Sequence, residues 1–201
     1  MWKIPNNFPL NLVAFLAGCL TVFGFAPFYL YPIPIITITV FLLVHEKCNQ
    51  HKSTVLLGLF FGFGLFISGT SWIFISLTRY GGMNVLLAGT LIIVFSIYLS
   101  VYTSIMSSIM FHLRKLTARV RFLLVFPAMW TLAELGRGYF FTGFPWLTIG
   151  YSQVPESPLI GYAPILGVYG ISFISVFLAG AISLTIKNSI ALGIINSLKK
   201  F

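Results

Sequence analysis

Aspartate does not occur in this chain of 201 residues, and glutamate occurs only at Glu46, Glu134 and Glu156. With three histidines besides, the chain has few ways to assemble an acid–base pair. Charged residues of both signs make up only 7% of the sequence, against about 25% in a soluble domain. Such a chain cannot cover a water-facing surface. The motifs of several common chemistries are missing too: there is no Walker loop, no His-Glu-x-x-His, no Gly-x-Ser-x-Gly and no Cys-x-x-Cys. Cysteine is confined to Cys19, inside an apolar run, and Cys48, in a polar stretch on the expected cytoplasmic side. A disulfide between them is not expected, nor is a metal site.

What remains is apolar. Hydrophobic residues are 58% of the chain and mean hydropathy is +0.99, which places it in a bilayer. The net charge of +9 does not indicate nucleic acid, because the bases lie in short loops beside apolar runs and no surface is left for docking. The first apolar run leads into "GFAPFYLYP" rather than a small-residue cleavage site, so no cleavable signal peptide is expected.

A helix needs about 20 residues to cross the hydrocarbon core. About six spans are expected, at residues 8–25, 29–44, 54–77, 84–111, 122–138 and 159–186. Lys3, then Lys47 and Lys52, then Arg114, Lys115, Arg119 and Arg121, then Lys187, Lys199 and Lys200 fall on alternate connections. That pattern predicts an all-α, polytopic membrane helix bundle with both termini inside, N-in/C-in. Residues 1–186 form the transmembrane domain, and residues 187–201 a basic tail or the stub of a seventh helix. Gly58 and Gly62 in the third span, and Ser96, Ser100, Ser104 and Ser108 in the fourth, read as close-packing faces or as a polar cavity lining.

Two features stand out. Glu134 falls 12 residues after Phe122, about 18 Å along a helix, and so inside a core about 30 Å thick. An intramembrane carboxylate marks a functional site by default and needs a partner. Arg137 is on the same face, and the pair reads either as a buried salt bridge or as a contact to headgroup or substrate. The second feature is "FFTGFPWLTIGYSQ", a ring-rich stretch broken by Gly143, Pro145 and Gly150. Its backbone cannot face lipid tails with polar groups unpaired, so it must rest on protein near an interface. It reads as an aromatic anchor or as a wall against which acyl chains lie.

The runs "FPAMWTLAELGRGYFFTGFPWLTIGYSQ" and "SPLIGYAPILGVYGISF", with "GFAPF" and "GLFFGFGLFISGTSWIFISL" before "YGG", closely resemble the membrane portion of the apolipoprotein N-acyltransferase family. The resemblance covers nearly the whole chain. It implies a bacterial inner-membrane protein acting at the outer face, with phospholipid and S-diacylglyceryl lipoprotein as partners and no cofactor or metal. The reaction it implies passes an acyl chain to the lipoprotein's α-amino group through a thioester on a nitrilase-like domain with a Glu–Lys–Cys triad. Neither Cys19 nor Cys48 lies in the motif around the family nucleophile, so no catalytic residue carries over. Glu134, Arg137, Gly143, Phe144, Pro145, Trp146, Tyr151 and Gln153 carry over as membrane-domain motif residues that would lie near lipid substrate. The sequence stops before any nitrilase-like stretch. The expectation is therefore a truncated or split membrane domain, inactive unless a separately encoded nitrilase-like half is supplied. The alternative is a non-catalytic lipid- or protein-binding membrane module. A small transporter fits poorly, because only one discontinuous segment is seen.

Overall fold

The central helix pairs approach so closely that a Cβ on the glycines between them would collide with the neighbouring helix. The computed structural model describes residues 8–198, with the side chains of 142 and 191–198 outside that description. Its eight α-helices are α1 Phe8–Thr21, α2 Pro32–Lys47, α3 His51–Gly69, α4 Ser71–Ile75, α5 Val85–His112, α6 Ala118–Val120, α7 Phe126–Tyr139 and α8 Ala163–Leu198. Helix α3 is central. A Cβ on Gly58 or Gly62 would meet α5 at Ser107, Thr103 and Ser100, and one on Gly64 would meet the Phe15 carbonyl of α1. These contacts bring backbones close enough for the hydroxyls of Thr103, Ser104 and Ser107 to reach the carbonyls of Gly58, Val55 and Thr54, at 2.9, 2.9 and 2.6 Å. Interhelical hydrogen bonds of this kind contribute roughly 0.6 kcal/mol each.

The patterning is inside out relative to a soluble protein. On α5, Ser96, Ser100, Thr103, Ser104 and Ser107 are buried while Val94, Ile97, Val101 and Ile105 are exposed. Ser107 takes the buried place that a strict four-residue step from Ser104 assigned to Ser108, because 3.6 residues per turn drifts off that stripe. Phe41, Phe61, Phe126 and Trp130 fill the centre, with Phe41 and Phe61 rings 4.7 Å apart.

Among the described residues, three helices are long and apolar enough to cross a membrane: residues 51–69, 85–115 and 158–190. The shorter α1 and α7 are lengthened by a 3-10 turn at Val22–Gly24 and a wide helical turn at Arg121–Val125. The molecule is an all-α membrane helix bundle. Expected and observed limits differ in the third span, where helix geometry stops at Thr70 (φ −102°, ψ 4°) and resumes as α4. There the amide and the hydroxyl of Thr70 both donate to the Phe66 carbonyl, at 2.9 and 2.7 Å. At the other end of the chain, α8 continues as helix past Lys187 to Leu198, with a break at Gly167 (φ +65°). Lys3, Lys199 and Lys200 lie outside the described residues.

His45, one residue past the expected end of the second span at 44, is buried in α2 with Nε2 3.1 Å from the Ser107 carbonyl. Both cysteines are free thiols.

Candidate functional site

Helix α7 ends at Tyr139, and the chain then crosses an irregular stretch before α8. Three residues here adopt left-handed backbone: Phe141 (φ +52°), Gly143 (φ +78°) and Leu147 (φ +61°). Only at Gly143 does the residue type suit that geometry, and a Cβ there would collide with the Gly138 carbonyl. Leu147 packs in a buried cluster with Leu65, Phe66 and Leu99, and the backbone on either side of it is bound by Glu134 and Arg137.

Both ionisable side chains are buried in the bundle. No ion-pair contact joins them; the direct pairs seen among the described residues both use Glu46. Each side chain is instead spent on backbone and neighbours. Arg137 Nη1 donates to the carbonyls of Phe144 (2.9 Å) and Trp146, while Nη2 donates to Thr148 Oγ1 (3.5 Å). Its guanidinium also lies 5.1 Å from the centre of the Phe66 ring. Glu134 Oε1 accepts the Ile149 amide at 2.8 Å and the Trp130 indole N–H at 2.9 Å. Glu134 Oε2 has no hydrogen-bond partner. The pair thus clasps residues 144–149 from below. This answers the orphaned backbone groups that irregular chain would otherwise leave in an apolar environment.

The next turn, Ile149–Gln153, is pinned on two further sides. The Gly150 amide donates to Ser172 Oγ of α8 at 2.7 Å, and Gln153 Nε2 donates to the Tyr31 carbonyl ahead of α2 at 3.1 Å. Gln153 is therefore buried structure at this end of the bundle.

Above the clasp is an apolar pocket of about 760 Å³, lined by residues including Phe25, Tyr29, Gly69, Trp72, Pro145 and Trp146. That volume lies within the range of small-molecule sites, roughly 300–1,000 Å³. Trp72 and Trp146, with ring centres 6.1 Å apart, are about half exposed. Of the eight residues singled out from sequence, Pro145, Trp146 and Tyr151 line this pocket. Phe144 stacks beside Trp146 (5.9 Å) and edge-on to Phe95 (4.9 Å). Gly143 shapes the turn. Glu134 and Arg137 line a separate cavity of about 20 Å³, room for about one water molecule, with Tyr102, Thr103 and Leu147 among its walls.

Sequence reasoning missed Trp130, Leu147, Thr148, Ser172 and the opposite wall at Phe25, Tyr29 and Trp72. Trp130 was recoverable, since it precedes Glu134 by one helical step of four. Leu147 and Thr148 lie inside the ring-rich stretch itself, whereas Ser172, Phe25, Tyr29 and Trp72 meet the site only through tertiary contact. Neither Cys19 nor Cys48 lines the pocket. Among the described residues, no group of three or more His, Cys or Glu side chains is placed to hold a metal ion.

Residues 17–181 match the family profile described as the apolipoprotein N-acyltransferase N-terminal domain. The chain is 41% identical over 183 residues to an apolipoprotein N-acyltransferase of Nitrosomonas europaea, covering 91% of this chain and 37% of that protein. It is 39% identical over 174 residues to the Pseudomonas syringae pv. tomato protein of the same name, covering 86% and 34%. The Coxiella burnetii protein of that name is 37% identical over 180 residues, covering 89% and 36%. The chain thus spans little more than a third of the length of these curated relatives.

Proposed function

Because the chain belongs to the apolipoprotein N-acyltransferase N-terminal domain family, we propose that it serves as the membrane domain of such an enzyme. In this reading it presents a phospholipid for transfer of an acyl chain to an S-diacylglyceryl lipoprotein in a bacterial inner membrane. The observation that carries it is the apolar pocket beside Trp146, built by the family-like segment and fringed by two tryptophans. An acyl chain suits such walls, and indole rings suit the headgroup level of a bilayer.

The clustering of Arg114, Arg121 and Lys187 around His45 and Glu46 supports a cytosolic position for that end. The Trp146 end would then face outward. Neither cysteine lies on the pocket wall, and in this reading acyl transfer falls to a nitrilase-like half that supplies the thiol, wherever that half is encoded. The same observation favours a second reading, a lipid- or protein-binding membrane module that takes part in no transfer.

The test uses cells depleted of their own N-acyltransferase, with mass spectrometry of a reporter lipoprotein's N-terminus. Acylation is expected when the chain is expressed with a nitrilase-like half, and not when it is expressed alone. Transfer by the chain alone would refute the assignment of catalysis elsewhere. No transfer by the pair, with both halves present in the membrane, would favour the second reading.

A further inference from the structure

Leu147 is a bulky residue at φ +61°, a backbone region that such side chains rarely occupy. It is also the residue common to both cavities, bounding the apolar pocket on one side and the small cavity beside Glu134 and Arg137 on the other. Its two methyl groups lie over Gly69, where an added Cβ would collide with Cδ1. Leu65, Phe66 and Leu99 pack with it in one buried cluster. The backbone on either side is fixed, since Arg137 binds the Trp146 carbonyl and the Thr148 hydroxyl while Glu134 binds the Ile149 amide.

We propose that Leu147, seated on Gly69, is the floor of the pocket and sets the length of acyl chain that this chain accepts. The inference rests on the reading of the pocket as an acyl-chain site. An acyl chain lying in the pocket would end against the Leu147 methyls. Beyond them is a space of only about 20 Å³, room for about one water molecule and too small for the chain to continue into. Glu134 and Arg137 are positioning residues in this scheme. They do not line the pocket, and they act by holding a strained leucine in place.

The experiment is a competition. The purified full chain, in detergent, is offered an equimolar homologous series of saturated phosphatidylethanolamines, and native mass spectrometry reads which are retained. Leu147→Ala lowers the floor and should move the preferred chain longer. Each extra buried methylene favours binding by about fourfold, so the ratio of long to short lipid should rise by at least that factor. Leu147→Gly should shift in the same direction with less risk to folding, because glycine is at ease at positive φ. Gly69→Ala should push Leu147 upward and favour shorter chains.

An unchanged ratio in all three variants, with Trp146→Ala still weakening retention, would refute the floor and leave the pocket reading standing. If wild type and Trp146→Ala retain every lipid equally, the pocket reading fails, and the inference with it.

Discussion

The two ends of the bundle solve the same problem, ionisable groups in an apolar molecule, in opposite ways. At one end Glu46, past the apolar stretch of α2 that closes at Val44, takes Arg121 and Lys187 directly, each at 2.5 Å. Charge meets charge, and α2, the wide turn that begins at Arg121 and α8 are tied side by side. At the other end Glu134 and Arg137 bypass each other and spend their hydrogen bonds on loop backbone. A direct pair closes a structure. An indirect one holds open an irregular segment whose far surface becomes a pocket. The difference teaches that a buried charge here is read by what it binds, not by its depth.

The comparison is broken most sharply at Arg137. Arg137→Leu would leave the carbonyls of Phe144 and Trp146 without their donor and strand Glu134 as a buried carboxylate with no compensating cation. Removing one member of a buried charged set costs about 3–5 kcal/mol. Thermal unfolding in detergent should show that loss, with phospholipid retention lost as well. Arg137→Lys should recover little, because an ammonium group lacks the fork by which Nη1 takes the carbonyls of Phe144 and Trp146 while Nη2 reaches Thr148 Oγ1. A near-neutral Arg137→Leu would mean that the loop holds its shape unaided.

Glu46→Ala comes next, at about 2–4 kcal/mol, because Arg121 is almost as buried as Arg137 and loses its carboxylate. Here the two ends should separate, with stability falling and phospholipid retention unchanged. Acid supplies an independent check. Burial opposes ionisation of Glu46, yet the hydrogen bonds from Arg121 and Lys187 outweigh it and lower its pKa to about 2. A carboxylate held below its unfolded value contributes stability that is present above the ordinary carboxylate range. That contribution is lost as pH falls from about 4.5 toward 2, and Glu46→Gln should lack this portion of the acid sensitivity.

Gly62→Ala tests the frame between the ends. The new methyl would meet Thr103 Oγ1 and the Ser100 backbone, so α3 and α5 must part. Overpacking of that kind costs typically 1–3 kcal/mol. The loss should appear in thermal unfolding and leave the chain-length preference of the pocket unchanged.

Much of this architecture was legible because a membrane chain writes its rules in one dimension. Long apolar runs, the alternation of Lys and Arg between loops, and the Gly58–Gly62 spacing follow from helix geometry and burial alone. The segment from Phe140 to Gln153 was legible as irregular, since Gly143 and Pro145 forbid a helix there. What it encloses was not. The pocket needs Phe25, Tyr29 and Trp72 from distant turns, and nothing local in the sequence brings them together. The mutual salt bridge offered as one reading of Glu134 and Arg137 assumed that neighbours on a helix face pair. Spacing cannot show that a loop returns to compete for both.

The smallest effect separates distance from energy. Arg121 and Lys187 contact Glu46 at the same 2.5 Å, but the Arg121 side chain is 6% exposed and that of Lys187 is 41% exposed. Solvent screens the second pair and lets its flexible ammonium find water instead, so Lys187→Met should cost no more than about 1 kcal/mol. Arg121→Met should cost several times that, since it removes the buried member of the set. Raising salt should erase most of the Lys187 contribution and little of that of Arg121. A double-mutant cycle for each cation with Glu46→Gln measures both terms. Equal coupling energies would show that Lys187 is shielded by its surroundings as fully as Arg121, and that this end of the bundle is closed more tightly than its exposed surface indicates.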